Sequence, residues 1–250
     1  MKLTSGGAAS PLTHLADNGH LGLFYIGGQW VSPKGTAHAD VVNPATEEII
    51  ARVPLGNSAD VDAAVAAARR AFASWSRTQP GERAALPERL QQQLEAQSER
   101  IAQCLSLEMG AAISYARSAQ VPLAIAHVKA AREILADFRF IERRGQTAIA
   151  REAIGVCALI TPWNWPLYQI TAKVAPALAA GCTVVLKPSE LSPLSALLFA
   201  EAIEQAGFPD GVFNLVHGNG PDVGAALAAH PDVDMISITG STRAGIAVAQ

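Results

Sequence analysis

Between residues 154 and 250 the chain alternates short apolar runs with longer amphipathic ones. IGVCALI, CTVVLK, VFNLVHG and DMISITG are nearly unbroken in their apolar character. Between them, PLYQITAKVAPALAAG, SALLFAEAIEQAG and DVGAALAAH return an apolar residue every three or four positions, and STRAGIAVAQ opens one more such segment. Strands without polar alternation are covered on both faces, and helices between them serve as crossovers joining parallel strands. The pattern predicts an α/β fold: a Rossmann-like parallel sheet with helices on both faces. Sheets of this kind bind nucleotides outside the carboxyl ends of their strands, where the strand order reverses.

The preceding residues carry a different rhythm. FYIGGQWVSPKG (24–35) reads as a β-hairpin about Gly-Gly, and VVNPATEEIIARVPLG (41–56) as a second strand pair turning at Asn43-Pro44. In SADVDAAVAAARRAFASW the period becomes helical, through Val61, Val65, Ala68, Phe72 and Trp75. Ser58 is the predicted N-cap, with Asp60 and Asp62 in the first turn, where carboxylates complement the helix dipole. A second helix is expected over 82–109, with Pro87 near its start and Gly110 as C-cap, and a third over 114–138. ADFRFIERRGQTAIAREA (136–153) loses that period and reads as an extended arm turning at Gly145. Residues 1–20 are small and polar, the composition of a disordered tail. The division predicted is a tail (1–20), one domain from 21–136 and 154–250 that begins with the hairpin and a helical segment, and the arm (137–153).

Composition narrows the function classes. The 250 residues are 50% hydrophobic and 16% charged, with a net charge of −3. That excludes a disordered chain and gives no electrostatic footprint for nucleic acid. Cys104, Cys157 and Cys182 form no metal-ligand spacing, and an odd count argues against a disulfide framework. The opening MKLTSGGAAS has no apolar signal core, and no window reaches 18 uninterrupted apolar residues. The expectation is a soluble, cytoplasmic protein with no membrane, nucleic-acid or metal partner.

Candidate chemistry clusters at the predicted carboxyl ends of strands. Lys187 closes CTVVLK and Glu190 follows in the same loop. Together they offer a donor and an acceptor to vicinal ribose hydroxyls, or a plain surface ion pair. HGNGPDVG (217–224) spaces its glycines G-x-G-x-x-x-G, a loosened dinucleotide fingerprint or simply a Gly-rich turn. In TGSTRAG (239–245), Gly240 and Ser241 suit a phosphate at a helix N-terminus, or ordinary N-capping. Asn164, held between Pro162 and Pro166, could donate its amide to a developing oxyanion. Otherwise it is a turn residue between the core aromatics Trp163 and Trp165.

Taken in order, YIGGQWV, NPATEEIIARVP, REAIGVCALITPWNWPL, GCTVVLKPSE, PDGVFNLVHGNG and ISITGSTRAG resemble the N-terminal half of the aldehyde dehydrogenase superfamily, from about residue 24 to 250. Ile238 and Ala153 are mild departures, where the family often has Phe and Pro. The resemblance implies an NAD(P)-binding domain and oxidation of an aldehyde to a carboxylic acid. NAD is the implied cofactor on the strength of Glu190, with NADP as the alternative. It assigns Asn164 to the oxyanion hole, and Thr161, Trp163, Lys187, Glu190, Gly220, Gly240 and Ser241 to the cofactor. The arm is implied to pair across a homo-oligomer. In the family the nucleophilic Cys and the general-base Glu lie beyond the segment that matches here. The chain is therefore expected to be the cofactor-binding part, truncated and inactive alone. A non-catalytic nucleotide-binding or scaffold protein is the alternative.

Overall fold

The computed structural model describes residues 10–250. Among the described residues ten strands arise in chain order. The hairpin is β1 (Phe24–Ile26) and β2 (Gln29–Val31), turning at Gly27 and Gly28 with φ of 63° and 80°. A detached ribbon follows as β3 (Ala37–Val42) and β4 (Ile49–Leu55), and the arm supplies β5 (Ile141–Arg144) and β6 (Thr147–Ala150). The last four strands are β7 (Val156–Ile160), β8 (Thr183–Lys187), β9 (Phe213–Leu215) and β10 (Met235–Ile238). They form one sheet of order β10-β7-β8-β9-β1-β2, parallel from β10 to β9 and antiparallel from β9 to β2. β7 has β8 on one side and β10 on the other, so the order reverses there. The predicted α/β fold is present, and the N-terminal hairpin extends the same sheet.

Alternation along each strand divides the core. Val156 and Ala158 of β7 and Val185 of β8 face one layer, packing with Val61, Ala64, Val65 and Ala68 of α2 (Ser58–Trp75) and Leu227 of α9 (Ala225–Ala229). Cys157 and Leu159, with Val184 and Leu186, face the other. That layer holds α3 (Pro80–Ala96), α4 (Ser98–Met109), α6 (Val121–Asp137), α7 (Pro166–Ala180) and α8 (Leu194–Ala206). Burying each large aliphatic side chain contributes about 1.5–3 kcal/mol, which is why a strand such as β7, five buried residues with no polar position, suffices. No helix among the described residues is long and apolar enough to cross a membrane.

Several boundaries differ from the sequence reading for identifiable reasons. Asn57, not Ser58, caps α2: its side chain accepts from Ala59 N and Asp60 N, and Asp60 returns a bond to Asn57 N. The Asp60 carboxylate also accepts from Lys34 N and Gly35 N, tying the segment after the hairpin to the helix. The single helix expected over 82–109 is two, breaking at Gln97, with Pro80 in the first turn of α3 and Pro87 inside it. The third is interrupted as well: a single turn, α5 (Ile113–Tyr115), runs through a π-helical stretch, Ala116–Gln120, into α6.

The tail prediction needs correction from residue 11 onward; residues 1–9 lie outside the described residues. Pro11–Asp17 form helix α1, with Pro11 in its first turn. The buried carboxylate of Glu201 on α8 is met by His14 Nε2 at 2.8 Å, His20 Nδ1 at 2.6 Å and Asn18 Nδ2 at 3.2 Å, while the His20 ring stacks on Trp30. Composition cannot show that a polar segment has a buried carboxylate waiting for it 181 to 187 residues on. Another buried carboxylate, Glu108 of α4, reaches the start of α8, accepting from Leu194 N at 2.6 Å and Ser195 N at 3.1 Å.

Candidate functional site

The carboxyl ends of β7, β8 and β10, with the turn after β9, open onto one cleft of ≈ 730 Å³. All eight predicted site residues line it: Thr161, Trp163, Asn164, Lys187, Glu190, Gly220, Gly240 and Ser241. Four separate segments of sequence are thus brought to a single sheet edge, beside the reversal at β7.

The β7 loop is fixed at both ends. Thr161 N donates to Lys187 O across the β7–β8 junction, and Ser192 Oγ donates to Trp163 O. Trp165 packs edge-on to Tyr115 and Tyr168, and Pro166 starts α7 with its ring where no helical N–H is needed. The two tryptophans part company here. Trp165 joins the packing, while Trp163 is 52% exposed at the cleft. Asn164 between them is exposed on the cleft wall.

Lys187 is buried, and its ammonium donates to Glu190 Oε2 at 3.2 Å. Burial lowers its pKa, and the Glu190 carboxylate beside it works in the opposite direction. The neighbouring imidazole of His217 is fully enclosed, with neither ring nitrogen bonded among the described residues. Burial, and then the Lys187 charge, push its pKa down to about 3, so it is neutral at physiological pH.

Across the cleft, Ser241 caps α10 (Thr242–Ala249), its Oγ accepting from Ala244 N at 3.2 Å. A Cβ placed on Gly220 would meet no atom within 4 Å, so the space in front of that backbone belongs to the cleft. Thr161 Oγ1 is buried and unpaired among the described residues, leaving a hydroxyl free to bond an occupant. The donor–acceptor pair, the open glycine, the capped helix start and the free hydroxyl suit a polyhydroxylated, phosphate-bearing ligand.

Two lining or adjacent cations escaped the sequence reading. Arg243 lies in the first turn of α10, inside a motif read only for its glycine and serine. Lys173 donates to Ser237 Oγ on β10 at 2.9 Å, and burial lowers its pKa. Its signal was available, as the single charge on the otherwise apolar α7.

Comparison with known proteins places this geometry. The family model described as "Aldehyde dehydrogenase family" matches residues 30–250. A 3-succinoylsemialdehyde-pyridine dehydrogenase from a Pseudomonas species is 55% identical over 226 residues, 90% of this chain and 47% of its own length. Aldehyde dehydrogenase C from Pseudomonas syringae, crystallised as a variant with NAD+ and octanal, superposes with a TM-score of 0.92 at 65% identity, covering 93% of this chain and 48% of that one. An aldehyde dehydrogenase from Bartonella henselae gives 0.89 at 46% identity, covering 91% and 48%. The chain spans about half the length of the relatives it matches.

Proposed function

Because the chain belongs to the aldehyde dehydrogenase family, we propose that it provides the NAD-binding part of an enzyme oxidising an aldehyde to a carboxylic acid. The observation carrying this reading is the convergence of Asn164, Lys187, Glu190 and Gly240 on one cleft, together with relatives crystallised with NAD+. Lys187 and Glu190 hold the adenosine ribose as donor and acceptor. The Glu190 carboxylate repels a 2′-phosphate, favouring NAD over NADP. Gly220 gives the adenine room, and the α10 N-terminus with Gly240 and Ser241 receives the pyrophosphate. Thr161 and Trp163 support the cofactor from the β7 loop. When bound, the nicotinamide supplies a hydride acceptor. Asn164, on a loop stiffened by two prolines, donates its amide to the oxygen of an aldehyde as negative charge develops there.

Titration with NAD, followed by quenching of the exposed Trp163, is expected to saturate. Lys187→Ala should weaken binding by roughly 10–100-fold, the value of a hydrogen bond to a charged group. A response that is absent, or unchanged in Lys187→Ala, counts against the site.

We further propose that the chain self-associates through its arm. β5 and β6 are mostly exposed, Ile141 at 67%, and an apolar groove at the arm's base is lined by Ile134, Phe138 and Phe140. Light scattering at micromolar concentration is expected to give a mass above the monomer, reduced to the monomer in Ile134→Asp. A wild-type monomer contradicts the proposal.

A further inference from the structure

We propose that Arg243 is the cleft's charged ligand for a diphosphate, which on the dinucleotide reading given above is that of NAD. Three charged side chains line the cleft: Lys187, Glu190 and Arg243. Lys187 and Glu190 pair with each other at 3.2 Å. Arg243 forms no ion pair among the described residues. In a chain of net charge −3, the cleft thus holds one uncompensated positive charge, which suits an anionic occupant.

The position of that charge narrows the choice. Ser241 caps α10, so Arg243 is the second residue of its first turn. The helix dipole is positive at that end and disfavours a cation. The first turns of α2 and α3 carry Asp60 and Glu82 instead. A guanidinium at the start of α10 is repelled by the helix until an anion comes between them. The backbone suits the same guest. Ser241 Oγ accepts from Ala244 N, and Ser241 O from Gly245 N, which leaves the N–H groups of Thr242 and Arg243 without an acceptor among the described residues.

An independent observation comes from β7. Thr239 N donates to Ile160 O, which sets the end of β7 beside the turn into α10. The next residue, Thr161, is 3% exposed and lines the cleft, its hydroxyl unbonded among the described residues. A buried hydroxyl without a partner costs free energy, and an oxygen-rich group at the start of α10 would supply one. Arginine's planar fork can bond two phosphate oxygens at once. Glu190 is committed to Lys187 and makes no ion pair with Arg243. The two ends of the cleft therefore divide the cofactor, ribose at Lys187 and Glu190, diphosphate at α10. NAD and NADP share the diphosphate, so Arg243 raises affinity for both and leaves the choice between them to Glu190.

The test is calorimetric titration of the 250-residue chain with adenosine, ADP, NAD, NADP and inorganic pyrophosphate. In Arg243→Gln, the four phosphate-bearing ligands should each bind about tenfold more weakly, the low end for a hydrogen bond to a charged group because the side chain is exposed. Adenosine should bind as before. Arg243→Lys should recover part of the loss, since it keeps the charge but not the fork. The wild-type preference for ADP over adenosine should shrink as salt rises from about 0.1 to 1 M, across which the screening length falls from about 10 to 3 Å. It should shrink less in Arg243→Gln. Equal weakening of adenosine, or a loss confined to NADP, overturns the proposal. NAD bound equally well by the wild type and Arg243→Gln also overturns it, while leaving the dinucleotide reading intact. Pyrophosphate bound through Arg243, with neither NAD nor adenosine bound, keeps Arg243 as a diphosphate ligand and sinks the dinucleotide reading. A wild type that binds none of these ligands overturns both.

Discussion

Mixed with NAD and an aldehyde, the 250-residue chain is expected to form no NADH above the uncatalysed background. Aldehyde oxidation in this family begins with a thiolate adding to the carbonyl, and the cleft offers none among its lining residues. Cys104 is enclosed on α4, with burial and then Glu108 raising its pKa. Cys157 and Cys182 stand at the amino ends of β7 and β8, the wrong end of the sheet. The oxyanion role proposed for Asn164 is worth about 10²–10³ in rate, but such a donor acts only on charge that a nucleophile has already created. NAD binding and turnover should therefore separate cleanly in this chain. The measurement is NADH absorbance over a panel of aliphatic and aromatic aldehydes. Sustained turnover, above all turnover lost when one of the three cysteines becomes serine, sinks the reading.

The second large effect concerns stability. Glu108→Gln is expected to flatten the dependence of unfolding free energy on pH between about 5 and 8. Burial raises the Glu108 carboxyl from an ordinary value of 4.5 to about 7, while the N–H groups of Ser195 and Leu194 oppose the rise without cancelling it. The folded chain thus holds this proton at pH values where the unfolded chain has released it. Its contribution is complete below the unfolded value and is lost as pH climbs through 7. Taken across the whole shift, that loss is on the order of 3 kcal/mol. Glutamine keeps one acceptor at the start of α8 and never ionises. The variant should match or trail the wild type near pH 5 and exceed it near pH 8. Urea unfolding across this range tests it, and parallel curves for the two proteins refute it.

The sequence disclosed more about the cleft than about the rest of the fold. Each cleft segment is local, a strand followed within a few residues by its chemistry: Thr161 to Asn164 after β7, Lys187 and Glu190 after β8, Gly240 and Ser241 after β10. Parallel topology then carries those local units to a common edge. What stayed hidden depends on distant partners. His14 and His20 read as tail residues until Glu201 comes within reach, and Glu108 reads as an ordinary helix residue until α8 arrives above it. The break at Gln97 and the π-helical Ala116–Gln120 are invisible to a period of three to four, because helical residues continue on both sides. Arg83 illustrates the same limit. Nothing beside it in sequence says that its guanidinium will be buried against Thr78 and, nearly a hundred residues on, Ala179 and Gly181.

The seating of β1 against β9 also matters for how the chain is made. Gly27 N reaches Asn214 Oδ1 at 2.9 Å across 187 residues of chain. At a synthesis rate of about 5–20 residues per second, the hairpin waits roughly 10–40 s for the strand it pairs with. Throughout that interval Phe24, packed in the finished fold on Val61, Ala64, Val65 and Ala68 of α2, can find part of its cover, while Tyr25 lacks the Phe213 ring it packs against. A sequence separation this long sets the β1–β9 pairing late in folding.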